Sequence, residues 1–184
     1  MSLTETPVCK FGEKAKEFEL ISTENKKISL KSLKGENGTL IMFICNHCPY
    51  VKAVIDDIVS DCAKLNDKGI KSIAIMSNDT KDYPEDSFDN MIKFSKKHKF
   101  TFPYLLDDKQ SIARLYGAVC TPDFFGYNKN LELQYRGRIR ELKNLKPIRN
   151  AESDLLSAMK LIANTEKGPI KQIPSMECNI KWSK

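Results

Sequence analysis

Leu40-Ile41-Met42-Phe43-Ile44-Cys45-Asn46-His47-Cys48-Pro49-Tyr50-Val51 is the stretch that decides how this chain is read. Leu40 to Ile44 is an unbroken apolar run, which reads as a strand covered on both faces, at the centre of a sheet flanked by helices. Beyond the two cysteines the period changes. Val51, Val54, Ile55, Ile58, Val59, Cys62 and Leu65 recur at three- and four-residue spacing and predict an amphipathic helix ending near Gly69. The junction of buried strand and helix therefore carries Cys45, Asn46, His47 and Cys48, and Pro49 suits the first helical position.

On the N-terminal side, Phe18–Ser22 and Lys27–Lys31 are strand-like runs around Thr23-Glu24-Asn25, a hairpin, and 34–38 is a polar loop. On the C-terminal side, Ile70 to Ser77 is a second buried strand. Tyr83-Pro84-Glu85-Asp86 opens a helix running to about Lys99, with Phe88, Met91, Ile92 and Phe94 on its apolar side. Pro103 to Leu106 is a short strand, and Ser111 to Tyr116 a short helix that Gly117 ends. After Thr121-Pro122 come a strand from Asp123 to Tyr127, a turn at Asn128-Lys129-Asn130 and a strand from Leu131 to Ile139. Leu131, Leu133, Tyr135 and Ile139 alternate there with Glu132, Gln134, Arg136, Arg138 and Arg140, which predicts one wet face. Ala151 to Ala163 is the last helix. The sum is an α/β domain spanning 1–184, a mixed sheet with helices on both faces. Residues 1–16 precede the fold as an N-terminal segment, and 164–184 follow it as an extended C-terminal tail without periodicity.

Composition narrows the function classes. The chain has 184 residues, 41% hydrophobic and 29% charged, with a net charge of +6, which is ordinary for a soluble domain. Its lysines are scattered among acids rather than gathered on one tract, so no nucleic-acid partner is expected. No apolar run approaches a membrane span and no apolar stretch marks a signal peptide near the N-terminus, so the expected setting is cytoplasmic, without a membrane partner. In a reducing cytosol most of the six cysteines should be thiols, and a close pair is then catalytic or metal-binding.

Cys45 and Cys48 are that pair. Two intervening residues let a turn close a disulfide. A helix N-terminus offers unpaired N–H groups and the positive end of its dipole, both of which favour the reactive thiolate. His47 as a cation would lower a neighbouring thiol pKa further. A zinc site would need two more ligands at close spacing, and His47, Cys120 and Cys178 are the only material for it, so no metal or other cofactor is expected. Cys62 falls on the helix stripe as inert core. Cys9 reads as exposed, His98 as a solvated helix-end residue, Cys178 as tail packing through Trp182 that could also reach the site or a second subunit, and Cys120 as a small buried residue that could also act as an extra resolving thiol.

Taken together, the segments 43–51, Ser77-Asn78-Asp79, Tyr83-Pro84-Glu85-Asp86-Ser87, 102–107, Tyr116-Gly117-Ala118-Val119-Cys120-Thr121-Pro122-Asp123-Phe124 and Cys178-Asn179-Ile180-Lys181-Trp182 resemble the thioredoxin-like branch of the AhpC/TSA (alkyl hydroperoxide reductase and thiol-specific antioxidant) family, in the thioredoxin superfamily. The resemblance implies a thioredoxin-like fold, with Pro122 as the cis-proline facing the active cysteines. His47, Asn46, Pro49, Thr121 and Cys120 are then the supporting residues. It also implies two registers. Laying Phe43 on the Phe of the family's Phe-Trp-Ala-x-Trp puts Cys48 at the nucleophile position and Val51 at that of the second cysteine. The other register makes Cys45 the nucleophile, and the stripe Cys48, Val51, Val54, Ile55 and Ile58 supports it. We take Cys48 as attacking thiol and Cys45 as its resolving partner, with the second register open.

Three functions follow. The first is thiol-disulfide exchange through the Cys45/Cys48 pair, with protein or low-molecular-weight thiols and disulfides and a reducing partner such as thioredoxin or glutathione. The second is an antioxidant thiol peroxidase acting on peroxide; Cys48-Pro49 resembles the peroxiredoxin Cys-Pro, but the upstream Pro-x-x-x-Thr is missing. The third is a copper-binding chaperone using Cys45, Cys48 and His47. Arg138 could orient an anionic or peroxide substrate, but among Arg136 and Arg140 it reads as an exposed strand residue.

Overall fold

A computed structural model describes residues 3–184. Its elements in chain order are β1 (Leu3–Glu5), β2 (Glu19–Ser22), β3 (Lys27–Ser29), α1 (Leu30–Leu33), β4 (Gly38–Phe43), α2 (Pro49–Asn66) and β5 (Ile70–Met76). A 3-10 turn (Pro84–Asp86), α3 (Phe88–Lys97), β6 (Tyr104–Leu106), α4 (Ser111–Tyr116), β7 (Cys120–Thr121) and β8 (Asp123–Tyr127) follow. The chain then runs through β9 (Leu133–Arg136), β10 (Leu142–Lys143), β11 (Lys146–Pro147), α5 (Asp154–Thr165) and β12 (Met176–Asn179).

The main sheet has seven strands in the order β3-β2-β6-β5-β4-β8-β9. β4, β5 and β6 run parallel, and β8 and β9 add antiparallel beyond β4. Every residue of β4 is buried, as its continuous apolar run requires. Alternate side chains supply two cores. Leu40, Met42 and Ile44 meet residues of α2, α3 and α5 on one face. Ile41 and Phe43 meet Leu30 of α1 and Ala113 and Tyr116 of α4 on the other. The expectation of helices on both faces of a mixed sheet therefore holds, and the β4–α2 junction lies at the carboxyl end of the central strand.

Four expectations change. First, Tyr83 to Asp86 does not begin the long helix. Ser87 is extended, with φ −56° and ψ 156°, and its side chain accepts from the Asn90 N–H, so α3 starts at Phe88. The preceding turn is thereby set apart as a separate structure that aims Asp86 inward.

Second, β9 has no wet face. All four of its residues are buried. Gln134 is covered by the segment after α5, where Gly168 N–H donates to Gln134 Oε1 and Gln172 Nε2 donates to the Gln134 carbonyl at 2.8 Å. Arg136 is buried as an ion pair with Asp123, Nη2 to Oδ2 at 2.9 Å, and it also donates to the Gly117 carbonyl and lies over the Phe125 ring. Periodicity alone cannot see a polar face covered by partners distant in sequence.

Third, the terminal segments belong to the fold. β12 pairs with β1 and with β7, making a second sheet in the order β1-β12-β7. Beyond β12, the Lys181 N–H donates to Asn78 Oδ1, the Lys181 carbonyl accepts from Gln110 Nε2 and the Asp79 N–H, and Gln110 Oε1 accepts from Ser183. The tail is extended, as expected, but strapped down. Residues 1–2 of the N-terminal segment lie outside the described residues.

Fourth, three side chains expected to face water do not. Cys9 is half-buried, and burial raises its thiol to about 11. His98 packs on the Phe94 ring at 4.5 Å between centroids, and burial lowers its pKa. Arg138 lies beyond β9 and pairs with Asp154 at 2.7 Å, at the start of α5.

The Asp123–Arg136 pair is a place where the fold is exposed to a single change, because removing one partner of a buried ion pair strands the other. Asp123→Ala should destabilise the protein by about 3–5 kcal/mol in urea unfolding, and adding Arg136→Met should recover much of the loss. A single-variant loss below about 1 kcal/mol would show that Gly117 and Phe125 hold the guanidinium by themselves.

Candidate active site

The loop 44–48 joins β4 to α2 with no regular hydrogen bonding of its own, and its backbone donors must be satisfied locally. Ile44 N–H reaches the Ile75 carbonyl. Asn46 N–H donates to Asp86 Oδ1 at 2.7 Å and His47 N–H donates to the same oxygen at 3.3 Å. The other oxygen of Asp86 faces His47 Nδ1 at 2.6 Å and accepts from Asn78 Nδ2 at 2.8 Å. Asp86 itself is fully buried. Asn46 completes the frame: its Nδ2 donates to the Glu85 carbonyl and its Oδ1 accepts from the buried Tyr104 hydroxyl at 2.9 Å.

Held this way, His47 stacks on Tyr83 with ring centroids 5.6 Å apart and 8° between planes. Its pKa is raised above 6.5, chiefly by the Asp86 hydrogen bond and against partial burial. Pro49 occupies the first turn of α2 as expected, and Cys48 is the N-cap residue. Cys48 is 1% exposed and Cys45 is fully buried.

The Thr121–Pro122 peptide is cis. Thr121 touches both sulfurs, its hydroxyl lying 3.4 Å from Cys45 Sγ and its carbonyl 3.2 Å from Cys48 Sγ. Antiparallel pairing then places Cys178 opposite Thr121. Cys178 is near enough to Cys48 to lower its thiol, and the Cys48 charge in turn raises that of Cys178. Of the two expectations for Cys178, packing in the tail or reaching the site, the register favours the second, since Thr121 touches both sulfurs of the pair. Cys120 does not join them: its Sγ is turned to the Pro122 carbonyl at 3.7 Å, it is fully buried, and burial pushes its thiol far up.

The two members of the pair are in opposed surroundings. Burial pushes Cys45 well above the usual thiol range, and its hydrogen bond to Cys48 and the nearby Asp86 charge push the same way. Cys48 is lowered from 9.0 to about 5, first by the hydrogen bond from Cys45, against the cost of burial, and then by the Val51 N–H, Cys178 and Thr121. No strict side-chain cap bond closes at this N-terminus, yet the Val51 N–H faces the sulfur and the dipole of an 18-residue helix favours negative charge there. The Thr121 carbonyl alone favours the protonated form, and the donors outweigh it. Cys62 is inert core, as expected, its thiol pushed to about 12 by burial.

Two residues escaped the sequence reading as site components. Asp86 was legible only as part of a helix start. Glu177 on β12 is 7% exposed, and its Oε2 has no hydrogen-bond partner. Burial, and then the Cys48 charge, raise its carboxyl to about 8. Tyr50, Cys120 and Cys178 also feel its charge. Cys48 therefore has two titratable groups within electrostatic reach, the His47 imidazole with its pKa raised and the Glu177 carboxyl raised to about 8.

Cys45, His47 and Asp86 have potential ligand atoms within 4.8 Å of one another. They fit a metal poorly. Asp86 already accepts four hydrogen bonds, and the Cys45 thiol is held in its protonated form, whereas a ligand must be deprotonated.

Comparison with known proteins places the chain. Residues 11–142 match the model of the AhpC/TSA family. The thiol-disulfide oxidoreductase ResA of Bacillus thuringiensis is 28% identical over 120 residues, 65% of this chain and 64% of that protein, so the match spans less than two thirds of the relative's length. An uncharacterized conserved protein of Geobacillus kaustophilus superposes with a TM-score of 0.94 at 36% identity, covering 100% of this chain and 97% of that one. A thiol:disulfide interchange protein of the thioredoxin family from Chlorobium tepidum, 17% identical, superposes with a TM-score of 0.63 over 83% of this chain and 97% of that one, which shows the shared fold. With its thioredoxin-like fold and a family match covering most of its length, this chain belongs to the AhpC/TSA family.

Proposed function

We propose that the protein is a thiol-disulfide oxidoreductase in which Cys48 attacks and Cys45 resolves. The observation that carries this reading is the opposed shift of the two thiols, Cys48 down to about 5 and Cys45 well up. Titratable pairs whose surroundings push them apart divide their roles. The Cys48 thiolate attacks a substrate disulfide, a mixed disulfide forms, and one substrate sulfur leaves as thiolate. Cys45 then attacks the Cys48 sulfur, its proton goes to the departing sulfur, and the pair is left oxidised. Substrates are protein or low-molecular-weight disulfides. In the cytoplasmic setting we assign, thioredoxin or glutathione returns the dithiol.

A second reading, thiol peroxidase, is favoured by one observation: with Cys48 only 1% exposed, a peroxide reaches it more easily than a folded protein does. The thiolate would take the distal oxygen as a sulfenic acid and release an alcohol or water. Cys45 would then condense with it and release water.

Three measurements test this. Iodoacetamide labelling of Cys48 should be half-maximal near pH 5 and flat above about pH 6; a midpoint near 9, or a low midpoint that survives Cys48→Ser, would reverse the assignment. Asp86→Asn should lower the His47 pKa in an NMR titration, because its largest raising cause is removed while burial still opposes the charged form; an unchanged pKa would show that Asp86 does not hold the imidazole. Insulin-disulfide reduction should fall by more than about a hundredfold in Cys48→Ser, while Cys45→Ser should still form the mixed disulfide but turn over slowly. Peroxide consumption well above that of a free thiol, without insulin reduction, would move the assignment to the second reading.

A further inference from the structure

We propose that Cys178 is a second resolving thiol for Cys48, so that oxidation passes from the attacking sulfur to the C-terminal strand as well as back to Cys45. This rests on the role proposed above for Cys48.

Three observations meet at one point. The β7–β12 register sets Cys178 opposite Thr121, the residue whose carbonyl lies 3.2 Å from Cys48 Sγ and whose hydroxyl lies 3.4 Å from Cys45 Sγ. Cys178 and Cys48 lie close enough for each to shift the other's thiol, Cys178 lowering Cys48 and Cys48 raising Cys178. Cys45, Cys48 and Cys178 are all within one buried cluster, so no side chain need cross solvent for either disulfide to form. Cys48 thus has a thiol on each of two separate segments, Cys45 in the loop after β4 and Cys178 on β12.

The step balances without a further reactant. Cys48 thiolate attacks a low-molecular-weight disulfide RSSR, forming Cys48–S–S–R and releasing RS⁻. Cys178 then attacks the Cys48 sulfur, the bond to R breaks, and its thiol proton ends on the second RS⁻. Two protein thiols are oxidised as RSSR is reduced to two thiols. The product ties β12 covalently to the start of α2. Exchange with Cys45 would carry the disulfide on to the Cys45–Cys48 pair and release β12.

The experiment uses the full chain carrying Cys45→Ser, with Cys45→Ala as a second variant in case the hydroxyl perturbs folding. Each is reduced, treated at low protein concentration with oxidised glutathione, digested without reduction and mapped by mass spectrometry. The expected result is a Cys48–Cys178 linked peptide within monomeric chains, and a Cys48–glutathione adduct that persists when Cys178→Ser is added. Adduct that persists while Cys178 is intact, or a Cys48–Cys178 bond found only between chains, overturns the inference. If the wild-type chain meanwhile closes Cys45–Cys48, the proposed function stands without it. If no variant forms any adduct at Cys48, both fall together.

Discussion

The buried carboxylate of Asp86 is the constraint on which the site depends. A loop linking a central strand to a helix leaves main-chain N–H groups inside the protein, and each would cost about 1–3 kcal/mol if left unpaired. Asp86 accepts from two of them, Asn46 and His47, and from the side chains of His47 and Asn78. Those bonds set where the loop ends and the helix begins. Moved by one residue, the loop would leave Cys48 inside α2 rather than at its N-cap, and the sulfur would lose the end of the helix that favours its charge.

That placement separates two chemically identical thiols. Cys45 and Cys48 are three residues apart and both buried, so burial alone would raise both. What differs is the supply of donors. Cys48 stands where the Val51 N–H and the thiols of Cys45 and Cys178 converge. Cys45 has the Thr121 hydroxyl in its favour, with the Cys48 and Asp86 charges against it. The hydrogen bond between the two sulfurs amplifies the split, since the proton that stays on Cys45 is the one that stabilises charge on Cys48. His47 is raised chiefly by its own contact with Asp86 and further by the nearby Cys48 charge, and it does not compete for the donors of that sulfur.

Much of the framework was legible in the sequence because it rests on local periodicity. The apolar run of β4 and the three-four stripe of α2 carry their own burial pattern, and Gly117, with φ 65°, ends α4 where its freedom is needed. The parts that were not legible depend on polar contacts between residues far apart. Arg136 looks solvent-facing until Asp123 is placed beside it, and Gln134 until Gln172 covers it. The tail from 164 to 184 has no period because backbone pairing to β1 and β7 and anchoring by Gln110 and Asn78 hold it, rather than an apolar face. In the site, the Cys-x-x-Cys-Pro spacing marked the candidate pair, and choosing Cys48 depended on a resemblance. Asp86, Glu177 and the contact of Cys178 came only from the fold.

Burial also governs how protons are handled. A thiolate in a site that admits little water must give up or receive protons through its neighbours. The Thr121 carbonyl takes a hydrogen bond from Cys48 only in its thiol form, so it holds the sulfur in place when the charge is gone. Glu177 is raised to about 8 by burial and by the Cys48 charge together, so it is mostly protonated at neutral pH while the thiolate is present. When Cys48 enters a disulfide and its charge disappears, one of the two causes holding that proton disappears with it. The carboxyl then becomes the stronger acid when the pair is oxidised and the stronger base when it is reduced. On the proposed chemistry, the proton on Glu177 is the one tied to the charge of Cys48, through a residue contributed by the last strand of the chain.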